Sequence, residues 1–342
     1  MESRFMKMSQ LQIARLLFFL CCSVFNFSCQ SQVTNIHPEK EKITLAAKIS
    51  LPTVNGRIDH ISFDPEHQLA FISAWGNNTV EVVNISTNKT IHSITGLDEP
   101  QGVLYIPSLK KLVVANGGSG DCIFFDPVTY KQSAVVHLKN DADNIRYDET
   151  SHLLYVGHGS GAIAVIDADS AKHIADIHLD QHPESFQLSK SHDRVYINVP
   201  DADEIEVAQL STHEVVEKWK NVSASWNFPM ALDEKNNHLF VGCRHQPKLI
   251  MINTSTGQDV SSPKCSGDAD DLFFSDDLVF LSAGAGYVDV FRVIDSGLVV
   301  VNHIATVTGA RTSLLLPSEK KFLLAVPKHG HTPAALWVYN LQ

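Results

Sequence analysis

The chain has 342 residues, 44% of them hydrophobic and 19% charged, with a formal net charge of −11. That composition is globular, and so acidic a protein has no general attraction for a phosphate backbone, which disfavours nucleic acid as a partner. No Lys/Arg run offsets the acidity, and no low-complexity linker divides the chain.

The N-terminus comes first. Arg4, Lys7 and Arg15 lead into an apolar stretch over residues 16–27. It is short for a membrane span and has the length of a signal-peptide core. It closes at Ser28-Cys29, followed by Gln30-Ser31-Gln32. A small residue before Cys at this point resembles a bacterial lipobox, although Asn26 and Phe27 replace the usual aliphatic and small residues. Residues 1–28 are expected to be a signal peptide with Cys29 lipidated. Ordinary cleavage nearby and an uncleaved anchor are the alternatives. On the lipobox reading the protein is exported to the periplasm or outer membrane, and its lipid anchor is its only membrane contact. Losing Glu2, Arg4, Lys7 and Arg15 (one acid and three cations) takes the charge from −11 to −13.

Cys122, Cys243 and Cys265 follow. An odd number is not a complete disulfide framework. Cys122, in Cys122-Ile123-Phe124-Phe125, reads as a buried apolar residue. A pairing of Cys243 with Cys265 stays open. No C-x-x-C-H exists for haem attachment. The glycine runs at 117–120 and 157–161 do not open a helix after a strand, so they carry no NAD signal, and nothing signals PQQ. They read as hairpin turns.

From residue 42 onward the chain repeats a pattern seven times, with a period of about 42 residues. The first apolar run of each unit closes at Phe63-Asp64, Tyr105-Ile106, Tyr147-Asp148, Leu188-Ser189, Leu232-Asp233, Phe274-Ser275 and Leu316-Pro317. A second run follows at 69–73, 111–115, 153–157, 194–198, 238–242, 278–282 and 322–326. Some third runs alternate, as in Val80-Glu81-Val82 and Val288-Asp289-Val290; that at 162–166 is apolar throughout and reads as buried on both faces. Six units carry a fourth run, but the seventh ends with the chain. The unassigned run at 42–51 supplies the missing strand. The expected fold is all-β: one seven-bladed propeller over residues 42–342, its last blade closed by the N-terminal strand.

The second runs contain Val113-Val114-Ala115-Asn116, Tyr155-Val156-Gly157-His158 and Tyr196-Ile197-Asn198-Val199. On these degenerate motifs the chain resembles the YVTN-repeat, YncE-like seven-bladed propellers of bacteria. Gly56-Arg57-Ile58-Asp59-His60, His182-Pro183-Glu184-Ser185-Phe186 and Gly267-Asp268-Ala269-Asp270-Asp271 resemble a subgroup, some of whose members are loosely labelled gluconolactonases. The resemblance implies the fold. It leaves function open, because propellers host enzymes, binding platforms and scaffolds alike.

A propeller brings one equivalent position per blade to its axis. Counting back along the first runs gives Asp59, Gln101, Asp143, Glu184, Phe228, Asp270 and Arg311, at steps of 42, 42, 41, 44, 42 and 41 residues. The next positions include His60, Asn144 and Asp271. Loops after the second runs add Trp75, Asn116, His158, Arg244, His245, Tyr287, Lys328, His329 and His331. Crowded acids raise each other's pKa values unless a cation intervenes. The candidate ligand-binding set is therefore Asp59, His60, Gln101, Asp143, Asn144, Glu184, Arg244, Asp270 and Arg311, with a divalent cation as a candidate cofactor. On this reading Asp143→Asn and Asp270→Asn would leave the fold intact. Three functions fit: a platform for a small molecule or an envelope protein, a lactonase-type hydrolase using the same acids, and a structural scaffold. No catalytic residue is assigned. The Ser-x-x-Lys matches fall in turns, and no Gly-x-Ser-x-Gly elbow exists.

Overall fold

The structure is a computed structural model that describes residues 40–220 and 223–342. The expected signal peptide and Cys29 lie outside the described residues. Seven four-stranded antiparallel sheets form the ring of a seven-bladed β-propeller. Six blades take their strands in chain order, from Ile61–Asp64 to Lys89–Ile94 in blade 1 through to Ala269–Ser275 to Gly297–Ala305 in blade 6.

The seventh blade is made from both ends of the chain. Thr312–Leu316, Lys321–Val326 and Ala334–Leu341 form its inner three strands, and Ile43–Leu51 pairs outside them. The register runs from Ile43 opposite Leu341 to Leu51 opposite Ala334. Ile49 and Leu51 are buried there.

The hydrophobic core shows why the ring must close. It consists of seven clusters, each shared by two neighbouring blades. Blades 1 and 2 share Phe71, Val82, Val103 and Leu112. Blades 7 and 1 share Leu51, Leu336, Ile72 and Val83. Each sheet is thus sandwiched on both faces, so a middle strand can be apolar without interruption, as over residues 162–166.

The alternating third strands differ from what their pattern suggests. Glu81, Glu204, Glu206 and Asp289 are all buried. Two of these acids clasp the chain between blades: Glu206 accepts the Asp180 N–H at 2.9 Å, and Asp289 accepts that of Ser266 at 2.6 Å. A period of two here marks buried acceptors for linker amides.

The outer strand of every blade pairs with an irregular step near its middle, as at Val82/Val83, Val165/Ile166 and Val207/Ala208. The residues skipped there include Ile91, Ile174 and Val216, which are exposed. A bulge bends the edge and interrupts its ladder, so a neighbouring edge strand has no regular template.

Cys122, Cys243 and Cys265 are free thiols. Cys122 is fully buried, and burial pushes its pKa up to about 12.

The Leu51 side chain is fully buried at the join of the last blade to the first, so Leu51→Ala should destabilise the protein by about 3 kcal/mol. Urea denaturation measures it; a loss below about 1 kcal/mol would contradict the burial of the closing strand.

Candidate functional site

The pairing register tests the blade equivalence directly. Ile61 faces Ile72, Val103 faces Val114, Ile145 faces Val156 and Phe186 faces Ile197. Met230, Leu272 and Ser313 hold the same place opposite Val241, Leu281 and Leu324. The residue two positions earlier in each blade is Asp59, Gln101, Asp143, Glu184, Phe228, Asp270 and Arg311; in blades 2, 5 and 6 a register shift falls at Gln101, Phe228 and Asp270.

Three of the seven positions share one backbone motif. The Asp59 N–H donates to Ser73 O at 2.7 Å, and the Ser73 N–H donates to His60 O at 3.0 Å. Asp143 and Asn144 repeat this with Gly157, and Glu184 and Ser185 with Asn198. These side chains therefore leave equivalent backbone. Gly102 is the close-approach point: a Cβ there would lie 2.1 Å from the Asp143 carbonyl oxygen.

The acids do not face one another unpaired. His60 Nε2 lies 3.6 Å from Asp143 Oδ1 and His60 Nδ1 lies 3.5 Å from Asp271 Oδ1. Asp59 Oδ2 meets Arg57 Nη2 at 2.5 Å. Arg244 pairs with Asp270, and Arg311 Nε lies 3.1 Å from its other oxygen. Arg311 Nη1 also donates to Asp268 at 2.9 Å. Asp271 Oδ2 accepts the Ser313 N–H at 2.6 Å.

The pKa shifts follow from this pairing. Burial disfavours a charge on His60, but the nearby carboxylates of Asp143 and Asp271, with that of Asp59, prevail and raise its pKa well above 6.5. Burial likewise works against the charge on Asp143, yet His60 brings its carboxyl below the ordinary value. Asp59 goes the other way: burial raises it, and His60 and Arg57 do not fully compensate. Glu184 has no paired cation. Burial and then the Asp143 charge lift its pKa to about 8, with Arg244 opposing. Burial brings Arg244 down to about 10, so it stays charged at neutral pH.

Cations thus intervene between most of the crowded acids, and among the described residues Glu184 is left without an ion pair. Neutralising Asp270 would take one carboxylate from Arg244 and Arg311, which keep Asp268 at 3.6 and 2.9 Å, and neutralising Asp143 would take one of the carboxylates facing His60. A divalent cation is not required to offset these charges. The described acids with metal-ligand spacing are Asp180, Glu204 and Glu206, away from the ring. Lys220 lies 2.7 Å from Glu204, and Lys218 lies 2.5 Å from Asp180.

The second-strand loops divide. Arg244 stacks on Phe228, with its guanidinium 3.5 Å from the ring centre. Trp75 lies on the same rim, 5.6 Å from the Arg57 guanidinium. Gln101 donates to Asp141 at 2.9 Å. Of the remaining loop residues, Lys328 donates to Asn55 at 2.9 Å, and others stay within their own neighbourhoods. His158 bonds Asp176 of its own blade, Asn116 bonds the Asp98 N–H, and Tyr287 stacks on His303. His329 and His331 are exposed on a hairpin. Counting by blade position missed Arg57, Asp268 and Arg146. Arg57 and Asp268 each stand two residues before a counted position, and Arg146 two after Asn144, so a wider window would have found all three.

No protein-family model matches the chain.

Glu184 gives the site a pH signature. Its carboxyl titrates near 4.5 when unfolded and about 8 when folded. Between those values the unfolded chain releases a proton that the folded chain keeps, so stability falls as pH rises through the window. Glu184→Gln should remove that slope. Denaturation at pH 5, 6, 7 and 8 should show the variant gaining on the wild type as pH rises; parallel curves would contradict the raised pKa.

Proposed function

We propose that the protein is a binding platform that takes a small anion bearing hydroxyl groups at the rim of the ring. One observation carries the reading. Arg57 and Arg311 each stand within electrostatic reach of Arg244, and Arg57 and Arg244 within that of Glu184, beside the faces of Trp75 and Phe228. Guanidinium groups hold carboxylates in a fixed fork, aromatic faces stack on ligand rings, and a protonated Glu184 donates to a hydroxyl or carbonyl oxygen. Arg57 is the accessible donor, with 40% of its side chain exposed.

The setting of this activity is the cell envelope, supported by the charged N-terminus, the short apolar stretch and Ser28-Cys29. Loss of acyl label and of membrane retention in Cys29→Ser tests it; unchanged retention refutes lipid anchoring. The degenerate motifs on Lys111–Asn116, Leu153–His158 and Arg194–Val199 support descent from the YVTN-repeat propellers.

Glu184 also favours a second reading, hydrolysis of a lactone. A carboxyl that holds its proton near pH 7 is poised as a general acid. Calorimetric titration with gluconate and glucose, alongside turnover of glucono-lactone, separates the two. The platform reading expects gluconate to bind, glucose to bind at least tenfold more weakly, and Arg57→Ala to weaken gluconate at least tenfold, without turnover. Turnover abolished by Glu184→Gln would establish the hydrolase instead. No gluconate binding by the wild type would reject the platform reading for this ligand class.

A further inference from the structure

A cavity of about 760 Å³ runs along the axis beneath the rim. Its inner end is the layer of His60, Asn144 and Asp271, and its other end is made by the exposed turn residues Pro65, Pro107, Glu149 and Lys190. Arg57, Arg244 and Arg311 do not line it. The cavity and the rim therefore lie on opposite sides of the His60 layer.

The cavity has two chemistries. Half-buried Phe63, Leu104, Phe273 and Leu314 make its wall apolar. Arg146 stands among the polar groups near its inner end. One terminal nitrogen, Nη1, donates to Ile145 O at 2.9 Å and to Asn144 Oδ1 at 3.4 Å; the other, Nη2, donates to Ser185 Oγ at 3.3 Å. Those acceptors are all neutral. Among the described residues no carboxylate oxygen lies within 4.0 Å of Arg146, whereas Arg57, Arg244, Arg292 and Arg311 each meet one. A guanidinium carries five N–H donors, so at least two remain unmet.

The neighbouring acids do not fill that role. Asp143 and Asp271 are engaged on the two ring nitrogens of His60, and Asp271 also accepts the Ser313 amide. Both also lie within electrostatic reach of Arg146 and favour its charged form, without meeting it in an ion pair. A cation with spare donors and no ion-paired carboxylate, at the polar end of a channel whose wall is partly apolar, suits an anionic head carrying an apolar body.

We propose that the channel is a second ligand site, for a monocarboxylate with an apolar body: the carboxylate lies on Arg146, and the body lies along Phe63, Leu104 and Phe273. The ligand enters from the face opposite the rim, past Glu149 and Lys190. Lys190 does not compete for the head, because it pairs with Asp148 at 2.7 Å.

Hexanoate and 1-hexanol are the probes, since they differ in the head alone. Calorimetric titration should show hexanoate binding with at least tenfold higher affinity than 1-hexanol. Arg146→Met should weaken hexanoate at least tenfold and leave 1-hexanol unchanged. Should that variant not fold, hexanoic acid carrying a diazirine at its far end decides the matter on the wild type. Photolabelling should fall on the peptides containing Phe63, Leu104 or Phe273. Absence of hexanoate binding, equal affinity for the two probes, retained affinity in Arg146→Met, or labelling confined to other peptides would each overturn the proposal.

Discussion

His60 ties three blades together across the axis. It sits on blade 1 and faces Asp143 of blade 3 and Asp271 of blade 6, one on each ring nitrogen. At 3.5–3.6 Å these contacts are ionic attractions rather than aligned hydrogen bonds. Each is worth about 4 kcal/mol in a protein-like dielectric, and removing each ion from water costs several kcal/mol in return. The terms are of similar size, so the triad is a weak source of net stability. It fixes where charge stands, and it divides a charged rim from a channel with largely apolar walls.

Stability comes from the blade interfaces. Seven apolar clusters form an unbroken cycle, and Leu51, supplied by the N-terminal strand, belongs to the one that joins last blade to first. Buried acids on the third strands then hold linkers in place, as Glu206 does for Asp180 and Asp289 for Ser266. Rigid blades present the axial side chains at fixed separations, which is what a preorganised rim requires.

The repeat made the fold readable because each blade places apolar runs at the same spacing. Even the closure was visible, as a surplus strand at one end and a deficit at the other. The axial positions were countable for the same reason, with register shifts at Gln101, Phe228 and Asp270 that the count did not show. Charge pairing was not readable. Arg57 and Asp268 lie outside the counted positions, and whether Arg244 reaches Asp270 depends on loop geometry that no repeat encodes. Alternation misled at Glu81 and Asp289, because a sheet sandwiched between two others has no solvent face. Arg146 was missed because it differs from a paired arginine only in what does not stand beside it.

The charge on His60 is the most direct test. Nitrogen-15 NMR of the imidazole, followed from pH 5 to 9, reports its protonation without reference to any ligand. The account predicts that both ring nitrogens stay protonated through pH 7 and that the titration midpoint lies well above 6.5. Titration at or below 6.5 would mean that Asp143 and Asp271 do not hold an imidazolium between them, and the division of rim from channel would lose its physical basis.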